Sequence, residues 1–486
     1  MRRPVRTNSL HSVNPIEQKN FMERNTDRPF VGKRPIRRIG LLSPTSGNLG
    51  NAAMQTAMIA NIRERIPDVE LLGITLNPEE TRRRFGIPAF PLAGSSRPNY
   101  ILFNSGNSAT QLHESPMLQR IKQWAKQIPL LGRLLRVIRM CGQELAHIVS
   151  AARVVRKLDR VIIPGGGALD DFWGGPWGHP WALLKWSVLS RAYGVPLWFV
   201  SIGKCSLERP LSRFFLRIAL RLAEYRSYRD NESKVAVQTL IDASNDPVYP
   251  DLAFSYPVPI PQLAGGYGSG EGRLVVGVSP IAYCDPRVWP LKDERRYAAY
   301  LRLVTEVVKR LLKERHQVLF FATDGPDVET IHDIQAMISD SSIDSDAIRS
   351  LPGPSQLTTD GLLKGICRAD LIIASRLHGV ILSQLIATPA LALSYDPKVD
   401  VHMSEIGQKE YCLHVDHVQA QTVIERLHAL KQARSKEAVR LRAAGELLRQ
   451  QLESQYDRLL GTKLSSPTMG DHPDEVLASP PSFQTN

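Results

Sequence analysis

The segment Ala374-Ser-Arg-Leu-His-Gly-Val380 puts an arginine and a histidine two positions apart, with Leu377 between them and a glycine after them. Histidine titrates near neutrality and can give or take a proton, and a neighbouring arginine can hold a substrate's negative charge at the same place. His378 is therefore the candidate acid or base, with Arg376 and Leu377 as binding residues beside it. A second arginine, Arg229, stands in Tyr228-Arg-Asp-Asn-Glu-Ser233, where Asp230 or Asn231 can cap a following helix. A guanidinium there can grip carboxylate or phosphate with two parallel bonds, which lysine cannot reproduce; the plain alternative is a salt bridge to Asp230 or Glu232. Pro164-Gly-Gly-Gly-Ala-Leu-Asp-Asp171 supplies Gly165, Gly166 and Gly167, against whose backbone a ligand can lie. Asp170 and Asp171 follow, either to touch that ligand or to cap a turn. Phe172, Trp173 and Trp177 come next, a group suited to stacking on sugar rings. Last, Ser43-Pro-Thr-Ser-Gly-Asn-Leu-Gly-Asn51 is a turn of small residues in which Asn48, Gly50 and backbone N–H groups can approach an anion at a helix N-terminus. It has neither the Gly-Lys-Ser/Thr of a Walker loop nor dinucleotide-binding spacing.

All four segments sit where a strand pattern passes into a helix pattern. Strands are predicted at 37–43, 69–75, 160–164, 196–203 and 225–229, with helices over 51–65, 180–193, 210–223 and 231–240. Continuous apolar runs such as Leu-Trp-Phe-Val suit a parallel sheet covered on both faces. Residues 255–272, rich in Pro and Gly, read as a linker. The alternation then restarts: strands at 273–279, 317–322, 348–351, 370–375 and 389–394, helices over 294–315, 328–338, 359–368 and 377–386, then a long helical pattern from 418 to about 460. The expected organisation is a basic disordered arm (1–36), an N-terminal α/β domain (37–254), a linker (255–272), a C-terminal α/β domain (273–417), a long helix (418–461) and a disordered tail (462–486). Two doubly wound, Rossmann-like domains facing a cleft would hold ligands at the carboxyl ends of their strands.

The net charge of +13 over 486 residues invites a nucleic-acid reading, but the charge is localised. Residues 1–38 carry +7 and residues 115–160 carry +8, whereas 161–461 nets zero, so the folded body is not a basic stripe and no nucleic-acid partner is expected. The insertion at 115–160 interleaves Arg120, Arg133, Arg136 and Arg139 with Leu118, Ile121, Trp124, Leu134 and Ile138 at helical spacing. Such a basic amphipathic region either packs as a lid or, with the 1–38 arm, lies on an anionic membrane. No apolar run reaches the roughly 18–20 residues that span a bilayer. Cys141, Cys205, Cys284, Cys367 and Cys412 are odd in number and include no C-x-x-C pair, which points to a reducing, cytoplasmic setting. The cluster of His402, His414 and His417 near Cys412 is not read as a metal site.

Gly-Gly-Gly with a downstream Asp, the Ser227-Tyr-Arg-Asp-Asn-Glu-Ser233 turn and above all Ser375-Arg-Leu-His-Gly379, in this order, resemble the polysaccharide pyruvyl transferase family over roughly residues 37–415. The resemblance implies a fold like that of two-domain GT-B glycosyltransferases and transfer of pyruvate from phosphoenolpyruvate to a saccharide, free or lipid-linked, as a ketal in cell-surface or exopolysaccharide synthesis. By motif, Arg376 and Arg229 fall on donor-binding positions, His378 on the acid/base position and Asp171, or Asp170, on the carboxylate after the glycines. Asp171 would serve as the base for an acceptor hydroxyl. No metal or other cofactor is implied, and the location would be the cytoplasm, peripheral at the inner membrane face. One departure is Asn51, where the family turn ends in Asp; an amide can cap or donate but cannot act as a base. A GT-B glycosyltransferase using a nucleotide-sugar and a non-catalytic saccharide-binding protein are the alternatives.

Overall fold

The structure, a computed structural model, describes residues 35–43, 47–94, 129–172, 174–204, 207–258, 273–338 and 345–463. The expected arm through residue 34, the insertion through residue 128, the linker from 259 to 272 and the tail from 464 lie outside them.

In the first half, β1 (Arg38–Ser43), α1 (Leu49–Arg65), β2 (Glu70–Thr75), α2 (Pro78–Phe85), β3 (Ala89–Pro91), α3 (Pro129–Val155), β4 (Arg160–Pro164), α4 (His179–Ala192), β5 (Leu197–Ile202), α5 (Pro210–Leu222), β6 (Tyr225–Tyr228) and α6 (Asn231–Gln238) follow one another. The strands form one parallel sheet in the order β3-β2-β1-β4-β5-β6. The second half repeats the plan with β7 (Val275–Ser279), α7 (Glu294–Lys313), β8 (Gln317–Phe320), α8 (Asp327–Ile338), β9 (Ile348–Ser350), α9 (Thr359–Ile366), β10 (Leu371–Ala374), α10 (Leu377–Leu385), β11 (Ala390–Ser394), α11 (Pro397–Glu405), β12 (Cys412–His414) and α12 (Ala420–Leu460). Its parallel sheet runs β12-β11-β10-β7-β8-β9. In each sheet the strand order reverses beside the first strand, between β1 and β4 and between β7 and β10, which is where open α/β sheets hold ligands.

The strands expected from apolar runs are present within two residues at each end, and β4, β5 and β11 are buried along their whole length. Four elements had no signal. α2 reads Pro-Glu-Glu-Thr-Arg-Arg-Arg-Phe and buries Thr81 alone, β3 and β12 are three-residue edge strands, and α11 mixes charge with apolar residues. The linker expected from 255 begins later than its composition suggested, because Leu252–Ser255 is a buried 3-10 turn packed on α1 and α12, and Tyr256 is buried too.

α12 ties the halves together by returning to the first domain. The Arg65 side chain, fully buried, donates to Asp457 Oδ1 and Glu453 Oε2, each at 2.6 Å. Gln455 accepts from Ser201 Oγ at 3.0 Å and donates to Ser227 Oγ at 2.7 Å. Ser201 has φ +50° at the end of β5, where the pairing with β6 slips, so this seam sits on an irregular strand end.

α3 is pinned by its last four turns. Glu144 Oε1 accepts from Trp181 Nε1 and Lys185 Nζ at 2.8 Å each, Glu144 Oε2 accepts from Gly94 N at 3.1 Å, and His147 Nε2 lies 2.8 Å from Pro91 O. Burial alone would push the Glu144 acid up, but the bond and charge of Lys185, with Trp181 and Gly94, bring it down to about 2. A depressed acid contributes stability that is present above its unfolded value near 4.5 and lost as pH falls toward 2. Chemical denaturation of Glu144→Gln should therefore show a loss of about 3 kcal/mol at neutral pH, with the gap to wild type closing between about pH 4.5 and 2. A gap that persists unchanged at low pH would mean that the ion pair does not anchor the helix.

Candidate active site

The facing strand ends meet at the N-termini of α1 and α10. Asn48 caps α1, accepting from Asn51 N at 3.0 Å, while its Nδ2 reaches across to Asp324 Oδ2 at 3.1 Å. Leu49 N donates to Thr323 O at 2.8 Å, so the turn after β1 is bonded to the loop after β8. Gly50 lies against the His378 ring: a Cβ built there would stand 2.1 Å from Cγ of the imidazole. Only a residue without a side chain lets these two helix starts approach so closely.

His378 Nε2 lies 3.6 Å from Asp251 Oδ2, and Arg229 Nη1 lies 3.6 Å from the same oxygen. Asp251 comes from the turn that opens Leu252–Ser255, where its Oδ1 accepts from Ala253 N at 3.0 Å. Its side chain is 2 % exposed, and among the described residues neither Asp251 Oδ2 nor His378 Nε2 has a hydrogen-bond partner. Burial would raise the Asp251 acid, but contact with His378 and then the charge of Arg229 outweigh it and hold the carboxyl well below the usual range. Arg229 Nε also lies 3.2 Å from Asp230 Oδ2, and its guanidinium rests on Gly203, where a Cβ would come within 2.6 Å of Nη2. A buried anion, a guanidinium and an imidazole thus share one small volume at the domain junction. They can hold an anionic ligand and move a proton, and the loosely met polar atoms are those that would face it.

His402 on α11 completes the group. Its Nε2 lies 2.6 Å from Gln384 Oε1, which fixes Nε2 as the donor, and its ring stacks on Phe254 at 6.0 Å between centroids. Burial first, then Arg229 and His378, bring this imidazole down to about 4 against the pull of Asp251, so it is neutral at physiological pH. Residues of both domains line a polar cavity of about 240 Å³, in which Lys204 and Lys398 stand among the acids Glu208, Asp230, Glu232 and Asp396. Phe172 meets Trp289 across the domains at 5.7 Å, and Tyr283 and Tyr395 flank the same indole.

Of the residues singled out in the sequence, Asn48, Gly50, Arg229 and His378 come together here. Arg376 stands in the same turn but is committed to its own domain, donating to Asp327 at 2.5 and 2.8 Å and lying 3.1 Å from Asp324. Burial and Asp324 push the Asp327 acid up to about 6 against the pull of Arg376, while the two aspartates hold the buried guanidinium firmly protonated. Leu377 is buried as the first residue of α10. Gly165 and Gly166 take φ +57° and +72°, and their amides donate to Val200 O and Met54 Sδ, which leaves those two N–H groups serving the protein; Gly167 follows as the last of the three. Asp170 accepts from Phe172 N, and Asp171 accepts from Glu208 N and Arg209 N at the start of α5. The carboxylate in contact with His378 is Asp251, not Asp171. Nothing in the sequence marked Asp251 except an acid between Pro250 and Leu252 ahead of a short apolar run, the pattern of a turn cap. His402 stands in the sequence only as one of the histidines near Cys412 that are not read as a metal site, and nothing there marks its place beside Asp251.

The family model for polysaccharide pyruvyl transferase matches residues 48–397. The chain belongs to that family. No curated protein matches it. Among solved structures it is similar to the S. aureus MnaA–UDP co-structure, at 12 % identity, 90 % of this chain and 100 % of the other covered, and a TM-score of 0.50. The UDP-GlcNAc 2-epimerase of Methanocaldococcus jannaschii (10 % identity, 80 % and 92 % covered, TM-score 0.48) and the glycosyltransferase SnogD of Streptomyces nogalater (14 % identity, 86 % and 95 % covered, TM-score 0.45) align over the same span of architecture. The fold of this pyruvyl transferase family member is the two-domain, Rossmann-like α/β arrangement of GT-B type.

Because the imidazole of His378 rests on Gly50, Gly50→Ala should drive the ring away from Asp251 while leaving both sheets intact. The check is the His378 ring cross-peak in a ¹H–¹³C spectrum, which should move, alongside an unchanged far-UV spectrum. A ring signal identical to wild type would mean that the close approach is not as described.

Proposed function

We propose that this protein transfers the pyruvyl group of phosphoenolpyruvate to two hydroxyls of a saccharide, forming a cyclic ketal and releasing inorganic phosphate. The observation that carries the reading is the buried Asp251–His378–Arg229 group at the domain junction of a chain in this family, with two polar atoms unmet. Phosphoenolpyruvate brings a phosphate and a carboxylate, so its site needs fixed positive charge; Arg229 supplies it in a form suited to two-pronged contact.

The chemistry follows from the donor's enol ester. His378, as the acid of the scheme, gives a proton to the methylene carbon, and the central carbon becomes electrophilic. One saccharide hydroxyl adds there, losing its proton to the imidazole just vacated, which Asp251 holds in place. The C–O bond to phosphate then breaks, the second hydroxyl adds to the same carbon, and the second proton leaves with the phosphate. Asp251 rather than Asp171 is the carboxylate of this scheme, because the oxygens of Asp171 accept from Glu208 N and Arg209 N. Arg376, held between Asp324 and Asp327, acts as a positioning residue that fixes the start of α10 and with it His378. His402, neutral and anchored by Gln384, keeps a second positive charge off Asp251. The scheme needs no metal.

The test is phosphate release from phosphoenolpyruvate on a panel of β-galactoside and N-acetylhexosamine acceptors, with product mass rising by one pyruvate ketal. Asp251→Asn and His378→Ala should each lower turnover by about a thousandfold or more, in the range lost when an acid–base group of a coupled pair is removed. Asp171→Asn should lower melting temperature more than it lowers turnover of the folded fraction. Equal turnover in wild type and Asp251→Asn would sink the assignment.

A further inference from the structure

We propose that the layer formed by α3, α4 and α5 is a docking surface for an anionic lipid bilayer. These helices cover the sheet face whose core is separate from the one shared by the two domains: Ala151, Val155, Leu183, Trp186, Leu216 and Leu220 pack on it. α3 lies on α4 and α4 on α5, so the three form one outer layer of the N-terminal domain.

The outward side of that layer carries large apolar residues that the fold leaves in solvent. On α3 they are Ile138 (57 % exposed), Leu145 (64 %) and Val149 (52 %), spaced seven and four apart and so on one stripe. On α5 they are Leu211 and Phe214, and Phe214 continues into an aromatic row through Phe215 to the half-exposed Trp177. Val188 of α4 lies between.

The charge of this layer has one sign. The three helices hold Arg139, Arg191, Arg217 and Arg221 at exposed positions, and the one acid in their sequences, Glu144, is turned inward against Lys185 and Trp181. Exposed apolar residues on α12, Val439 and Leu447, have no such setting, because that helix mixes glutamates with its arginines. Apolar side chains standing clear of a one-signed basic surface match a bilayer interface, where the apolar residues enter the acyl boundary and the arginines stay with phosphate headgroups. A nucleic acid would use the arginines and leave the apolar stripe in water. No described helix is long and apolar enough to cross a membrane, so the contact is peripheral. The sequence pointed to the 1–38 arm and the 115–160 insertion; the fold adds α4 and α5, which belong to the segment 161–461 whose net charge is zero. This inference rests on the surface alone and stands whether or not phosphoenolpyruvate is the donor.

Flotation of the full chain with vesicles tests it. At about 0.1 M salt the protein should bind vesicles of one-third phosphatidylglycerol in phosphatidylcholine and not phosphatidylcholine alone, and raised salt should weaken the binding. Arg217→Glu/Arg221→Glu should weaken it by about thirtyfold or more, since each basic residue near such a surface is worth about fivefold. Phe214→Ser should weaken it without changing its salt dependence. Val149→Ser on α3 serves as a second apolar variant, and unchanged melting temperatures are required of all. Wild-type-like binding by the charge-reversed variant, equal binding to neutral vesicles, or tighter retention on single-stranded RNA than on anionic vesicles would overturn the proposal.

Discussion

A carboxylate removed from water costs several kcal/mol unless charge and hydrogen bonds replace what it has lost, and Asp251 is removed almost completely. Its compensation is divided. One oxygen is satisfied locally by Ala253 N, while the other depends on Arg229 from its own domain and on His378 from the opposite one, both at 3.6 Å. The two domains are therefore electrostatically bound where their facing strand ends meet. Separating them would strand a buried anion, and at 3.6 Å the anion is neutralised without being tightly bonded, so its partners remain able to engage something else. Arg376 solves the same problem differently: two aspartates of its own domain surround it, and Asn48 reaches one of them, so the guanidinium becomes a fixed post.

Such a junction needs the sheets held in one relative position, and α12 does this with directional bonds. Apolar packing between a long helix and a sheet tolerates sliding; Gln455 bonded to Ser201 and Ser227, and Arg65 bonded to Glu453 and Asp457, do not. The positive φ of Ser201 is a local cost at the end of β5 that the Gln455 bond helps to offset, and it places this seam two residues from Gly203, on which Arg229 rests. The clamp and the site are thus adjacent along one strand end.

The sheets were legible because a strand buried on both faces must be apolar throughout, and few other elements look that way. The turns that carry Gly50, Arg229 and His378 were legible because a glycine at a close approach, or an arginine beside a cap, restricts residue type locally. Asp251 was not, since nothing about it is local: its chemistry comes from Arg229, 22 positions earlier, and His378, 127 positions later, which only the fold brings near. The same reason hid His402, which sits in a short helix of mixed composition, and the basic face, because adding charge along the chain returned zero for a segment whose arginines and acids the fold then sorts to different surfaces.

Several residues most easily recognised in the sequence are bonded within the protein. Gly165 and Gly166 give their amides to the protein, Arg376 is surrounded by its own aspartates, and Asp171 accepts from the two amides ahead of α5. Unusual backbone and buried pairing demand particular residue types, and a frame needs both more often than a reactive group does. Asp171 also links two regions that are apart in the chain: it belongs to the loop after β4, and its oxygens hold the amides of Glu208 and Arg209, which lead into α5 with its exposed Phe214, Arg217 and Arg221.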